Sequence, residues 1–135
     1  MKRAVRMKTV CDLMSKTVQT IHRDTIVSEL EGIFVTHEIS GAPIVDDSDH
    51  MVGFVSKTDI VRFDATGDDP FYARAHEIAS PKVIKIGSSA SIEEAAQMML
   101  NEHVHHLVVM DGETIAGVLS TLDYVKLVAG NVSEG

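Results

Sequence analysis

The 135-residue chain repeats itself. At a shift of 65, Ser15 falls on Ser80, Val18 on Val83, Ile21 on Ile86, Glu29 on Glu94 and Asp46 on Asp111. One residue is then lost, and at a shift of 64 Gly53 meets Gly117, Ser56 meets Ser120, Asp59 meets Asp123 and Val61 meets Val125. Such a duplication limits the fold to two copies of one supersecondary unit, too few for a solenoid. A copy of roughly 60 residues buries little core alone, so the two are expected to pack as one body.

The periodicity predicts the same order in each copy. A short apolar strand comes first, Val18 to Ile21 and Val83 to Ile86. A helix follows, with Val27, Leu30, Ile33 and Phe34 on one face in the first copy and Ile92, Ala95, Met98 and Met99 in the second. Ser91-Ile92-Glu93-Glu94 has the spacing of a capping box. The first copy has no such signal, and its helix is expected to start around Asp24 and Thr25. Two strands joined by a polar turn come next, Ala42–Val45 with Met51–Val55 and Leu107–Met110 with Thr114–Leu119, the second turning at Asp111-Gly112. Pro43 has no N–H for a ladder, so it should begin its strand or face an unpaired edge. A closing helix starts at Ser56 or Ser120. Its apolar residues Ile60, Val61, Phe63, Leu127 and Val128 are candidates for either core or a dimer face.

Composition narrows the function. Hydrophobic residues make up 44% of the chain but aromatics only 4%, so the core must come from aliphatic residues and the seven Met. A net charge of -8 argues against nucleic-acid binding, which needs a basic surface. The lone Cys11 allows no internal disulfide and suggests a reducing compartment. No apolar run reaches the length of a signal peptide or membrane span, so a cytoplasmic protein without membrane partners is expected.

The repeated Gly-x-x-Ser-x-x-Asp segment crosses from strand to helix. Ser56 and Ser120 fall at helix N-caps, where free amides and the helix dipole favour an anion. Asp59 and Asp123 lie one turn on, where a carboxylate can accept hydrogen bonds from both hydroxyls of a ribose. The same spacing also suits a plain capping box with no ligand.

These segments resemble the CBS-domain (cystathionine beta-synthase domain) family, and the pair resembles a stand-alone Bateman module. The first half carries Leu13-Met14-Ser15, Ile39-Ser40-Gly41-Ala42-Pro43-Ile44-Val45-Asp46 and Gly53-Phe54-Val55-Ser56-Lys57-Thr58-Asp59. The second carries Ile78-Ala79-Ser80-Pro81, Ser91 to Ala96, and Gly117-Val118-Leu119-Ser120-Thr121-Leu122-Asp123. The resemblance implies a mixed α/β (α+β) fold, two strand-helix-strand-strand-helix repeats with pseudo-twofold symmetry. The repeats would span residues 7–65 and 74–130, with 66–73 as linker.

The resemblance further implies a regulatory, non-enzymatic module. It would require no cofactor, bind an adenosine compound such as AMP, ADP, ATP or S-adenosylmethionine, and signal to an unidentified protein partner or to its mate in a homodimer. It assigns phosphate to the Ser corner, with Ser56, Lys57 and Thr58 in one copy and Ser120 and Thr121 in the other, and ribose to Asp59 and Asp123. The base would rest near Thr17 and Val18 with Ile39, Ser40, Gly41 and Ala42, and near Lys82 and Val83 with Val104, His105, His106 and Leu107. The chain departs from the family in placing His105 and His106 where phosphate-holding members often carry Arg; Lys16, Lys57 and Arg62 are the nearby cations. Imidazoles there would make phosphate affinity depend on pH.

Other clusters carry less. His103, His105 and His106 lack a matching His or Cys group, so no metal is expected. Asp46-Asp47-Ser48-Asp49 lacks the Gly and closing Glu of a calcium loop and reads as a solvated turn. Cys11, Ser56 and Ser120 have no oriented base in local sequence, so no catalytic residue is assigned. The rival reading is a ligand-independent dimerisation or interaction module.

Overall fold

The computed structural model describes residues 9–130. The basic segment Met1–Lys8, and with it the first two residues of the expected first repeat, lie outside the described residues. The chain runs α1 (Val10–Leu13), β1 (Ile21–His22), α2 (Val27–His37), β2 (Gly41–Val45), β3 (Met51–Ser56), α3 (Lys57–Asp64), α4 (Ala75–Ile78), β4 (Lys85–Gly87), α5 (Ile92–Glu102), β5 (His106–Asp111), β6 (Thr114–Ser120) and α6 (Thr121–Ala129). The expected order of strand, helix, two strands and helix appears twice, each copy preceded by a one-turn helix.

Each copy forms a three-stranded sheet, β1-β2-β3 and β4-β5-β6. The first two strands of each run parallel and the last two antiparallel. A register shift falls between Ile44 and Val45 and again between Val109 and Met110, so the duplication extends to the bulge before the turn.

Two compact units result: residues 19–83, and residues 9–18 together with 84–130. Each repeat's lead helix therefore folds with the other repeat's sheet. Helix α1 packs against α5, α6 and β6, and α4 against α3 and β3. In one unit the core gathers Ile21, Val27, Leu30, Phe34, Ala42, Ile44, Val55, Ile60, Phe63 and Ala75. In the other it gathers Val10, Leu13, Ile86, Ala95, Met99, Leu107, Val109 and Leu119. Of the closing-helix residues considered for a dimer face, Ile60 and Phe63 are buried, Leu127 is partly buried against the core, and Val61 and Val128 are exposed.

The lead segments are pinned by reciprocal backbone hydrogen bonds. Phe54 N donates to Ser80 O and Ser80 N to Phe54 O, both at 2.9 Å; Ser15 and Val118 exchange the matching pair at 3.2 and 3.3 Å. This is why glycine recurs at 53 and 117. A Cβ on Gly53 would lie 2.9 Å from Ser80 O, and one on Gly117 would lie 2.6 Å from Ser15 O. The close approach that glycine permits is made here by the chain's own backbone.

Three expectations are corrected. The first strand of each copy starts late, at Ile21 and Lys85 in place of Val18 and Val83. Helix α2 starts at Val27, after an Ile26 N-cap that supplies no side-chain hydrogen bond. Its opening amides are met by the linker, Val27 N donating to Ala73 O and Ser28 N to Pro70 O at 2.9 Å each. Of the two places expected for Pro43 it does not take the strand start, being the fully buried third residue of β2, but it does face an unpaired edge. Its partner Phe54 turns both backbone groups toward Ser80, so Pro43 sits at a non-hydrogen-bonded position facing the side where β1 has not begun. At the matching position Val108 pairs with Lys85 and donates to Ile84 O. Proline cannot make that bond, which explains why β1 is one residue shorter than β4.

Gly117→Ala and Gly53→Ala should each destabilise by about 1–3 kcal/mol through overpacking against a backbone carbonyl. Gly32→Ala, in α2 with open space around it, should stabilise by about 0.5–1 kcal/mol. Urea denaturation of the three variants tests this, and a stable Gly117→Ala protein would contradict it.

Candidate functional site

Each sheet's last strand turns directly into its closing helix, and the expected serines sit at these corners. Ser56 and Ser120 are extended, with φ of −124° and −121°, and each forms a capping box with the aspartate three residues on. Ser56 N donates to Asp59 Oδ2 at 2.8 Å, and Ser56 Oγ donates to the same oxygen at 3.1 Å. Ser120 N donates to Asp123 Oδ2 at 2.8 Å. The capping box is thus present in both copies and occupies one oxygen of each carboxylate.

The preceding strand start closes the corner. Lys57 N donates to Ser40 O and Thr121 N to His105 O, each at 3.0 Å. Gly41 pairs with Ser56 and His106 with Ser120. The structure thus brings Ser40, Gly41, Ser56, Lys57, Thr58 and Asp59 together in one unit, and His105, His106, Ser120, Thr121 and Asp123 in the other. Ile39 N and Val104 N return to the end of the preceding helix, donating to Phe34 O and Met99 O. Ala42 and Leu107 are wholly buried in the cores. With one first-turn amide of each closing helix bonded to the strand start, and the Asp59 amide also to Ser56 Oγ at 3.4 Å, the anion site suggested by the helix termini is narrower than expected.

The exchange of lead segments regroups the remaining candidates. Thr17 and Val18, expected beside Ile39–Ala42, belong to the unit that carries Ser120 and Asp123. Lys82 and Val83, expected beside Val104–Leu107, belong to the unit of Ser56 and Asp59, and Lys82 N donates to Ser80 Oγ at 3.3 Å. The cause is the pinning of Ser15 to β6 and of Ser80 to β3. Sequence spacing alone cannot show this.

The two carboxylates are held differently. Asp59, 13% exposed at its side chain, receives Arg62 Nη1 on its outer oxygen at 3.3 Å. The matching position is Lys126, which acts on Asp123 only as a nearby charge. Burial raises the Asp123 pKa above the ordinary carboxylate value, against the opposing pull of the Ser120 hydrogen bonds and Lys126.

Two cavities lie beside these corners. One, of about 560 Å³, is lined by Asp59, Arg62 and Phe63 together with Asp68, Asp69, Tyr72 and Glu77 among others. The other, of about 500 Å³, is lined by Met99, Leu100, His103, Val104, His105, Thr121 and Tyr124, with Ala96. The linker carboxylates and Tyr72 escape a motif-based reading. The available signal was Phe71-Tyr72, half of the chain's tyrosines placed in a polar link, and both rings are more than two-thirds exposed.

The lesser clusters resolve plainly. Cys11 Sγ is half-buried and donates to Ser88 O at 3.1 Å. Asp46 closes its turn by accepting from Ser48 N and His50 N at 2.9 Å, and the His50 amide leads in lowering its pKa. Among the described residues no group of three or more His, Cys, Asp or Glu is placed to hold a metal. Among them also, no helix is long and apolar enough to cross a membrane.

The raised Asp123 pKa has a pH consequence. The folded chain holds this proton more tightly than the unfolded chain, so stability from this group falls as pH rises from about 4 through the folded pKa. Asp123→Asn removes that loss. Its stability relative to wild type should therefore improve between pH 4 and pH 7 in parallel urea titrations, and a difference independent of pH would refute the assignment.

Comparison with known proteins agrees with the geometry. The CBS domain family model matches twice, over residues 10–66 and 75–130. The chain is 32% identical over 126 residues to the uncharacterized protein MJ1232 of Methanocaldococcus jannaschii, covering 93% of this chain but only 41% of that protein. It is 26% identical to hypoxic response protein 1 of Mycobacterium tuberculosis, covering 89% of this chain and 85% of the relative. Among solved structures it resembles the CBS domain pair of MJ0100, captured with 5'-methylthioadenosine and S-adenosyl-L-methionine, with a TM-score of 0.82, 25% identity and coverage of 92% and 98%. With the doubled strand-to-helix corner on each sheet, these matches make the chain a member of the CBS domain family, carrying a tandem pair of its domains.

Proposed function

We propose that this CBS pair is a cytoplasmic regulatory module, not an enzyme, that binds an adenosine-containing metabolite and passes the change to a partner protein or a second copy of itself. The observation that carries the reading is the pair of half-buried carboxylates, Asp59 and Asp123, each held by a capping serine beside a strand start. A carboxylate so placed has one oxygen oriented by the helix corner, and its other lone pairs can accept both hydroxyls of a ribose. The MJ0100 pair, which holds two adenosine compounds, supports the same class of ligand here. Thr17, Val18, Lys82, Val83, Ile39, Ser40, Val104 and His105 would border the base and phosphate. Ligand binding regulates only if it favours one arrangement of the chain over another.

A thermal-shift panel with AMP, ADP, ATP and S-adenosylmethionine tests the reading. A ligand at about a hundred times its dissociation constant should add roughly 2.7 kcal/mol. Asp59→Ala or Asp123→Ala should weaken binding about ten- to a hundredfold, since each removes a charge-assisted contact worth about 1.5–3 kcal/mol. Silence across the whole panel would remove the adenosine reading.

Homodimerisation has its own support. Large apolar residues are exposed at matched positions in the two repeats, Val35 with Leu100 and Val61 with Val125. Leu122 and Val128 extend the last of these along α6. Solvent-facing apolar side chains repeated in both copies suit a self-complementary surface. Leu100→Lys with Val125→Lys should weaken self-association at least about tenfold in sedimentation equilibrium; an unchanged association would exclude this face.

A further inference from the structure

We infer that the cavity beside Asp59 discriminates by the charge of its ligand, favouring a cationic adenosine compound over a phosphate-bearing one. The inference rests on the adenosine reading above and names the ligand class for one of its two corners.

Asp59 is the member of the proposed ligand site that also lines this cavity, so a ribose held there directs its substituent toward the remaining lining, which decides the charge it favours. Four carboxylates, from Asp59, Asp68, Asp69 and Glu77, face about 560 Å³ of space with a single guanidinium, that of Arg62. Arg62 is already committed to Asp59 at 3.3 Å. Two of the other carboxylates are oriented by nearby backbone, Asp69 Oδ1 accepting from Phe71 N at 2.8 Å and Glu77 Oε1 from Arg74 N at 2.6 Å. Their charge is therefore fixed in place by the fold. The ring of Tyr72, on the same wall, offers a face to a cation. A phosphate entering here meets net negative charge, whereas a sulfonium or ammonium meets its complement. The cavity in the other unit differs, with two imidazoles and no carboxylate among its lining residues. Charge selection is thus a property of one corner and not of an acidic protein as a whole.

Because Asp68, Asp69 and Glu77 are exposed, salt screens their effect, and the preference should be moderate and salt-dependent. The experiment uses Asp123→Ala to isolate the first corner and titrates it calorimetrically with S-adenosylmethionine and with AMP. S-adenosylmethionine should bind at least about tenfold more tightly at low salt, and the preference should shrink at high salt. Adding Asp68→Asn, Asp69→Asn and Glu77→Gln keeps the backbone hydrogen bonds, since each amide retains an acceptor oxygen, and should erase most of the preference. Equal affinities, or a preference indifferent to the three amides, would overturn the inference while leaving the adenosine reading intact. So would binding seen in wild type but lost entirely in Asp123→Ala. Failure of both compounds to bind wild type and every variant would overturn the adenosine reading itself.

Discussion

Two pairs of backbone hydrogen bonds, Phe54 with Ser80 and Ser15 with Val118, organise the remainder of the structure. They tie the segment after each lead helix to the final strand of the other repeat's sheet. The lead helices therefore complete cores in units to which their own repeats do not belong. The approach is close enough to require glycine opposite each carbonyl, so a backbone constraint explains a residue that a motif search would credit to the ligand. The cost of leaving these backbone groups unpaired inside the fold is the reason the pairing is reciprocal.

The same corners hold the functional candidates. A strand that ends at a serine N-cap delivers the aspartate to a fixed place, with one oxygen held by the serine amide. The duplication supplies this twice, but the surroundings differ. Arg62 pairs with Asp59, while half-buried Asp123 has Ser120 as its hydrogen-bond partner and Lys126 only as a nearby charge, and burial raises its pKa. The lining of the neighbouring cavities diverges further, carboxylates on one side and imidazoles on the other. Duplicated geometry with diverged charge is what a module would need to read two different ligands, or one ligand at two affinities.

Much of this was legible in residue spacing. The capping box at Ser91 and Glu94 forms as its spacing implied, with 3.0 Å bonds in both directions, because such a box depends on residues three apart and nothing else. The hairpins follow their turn residues for the same reason. Where a local signal was missing, the reading slipped. Helix α2 carries Ile26 where α5 carries Ser91, and its amides are met by linker carbonyls more than forty residues away in sequence. Pro43 was legible as an obstacle but not as a central-strand residue, because its tolerance depends on which way Phe54 faces.

The sequence by itself determined the duplication, the order of elements, the serine caps and the two carboxylates, since each is written in contacts between near neighbours along the chain. Tertiary structure alone decided which halves share a core, which lead segment meets which motif, and which charges line each cavity. Those depend on backbone pairing and packing between residues far apart in the chain, where local propensity carries no information.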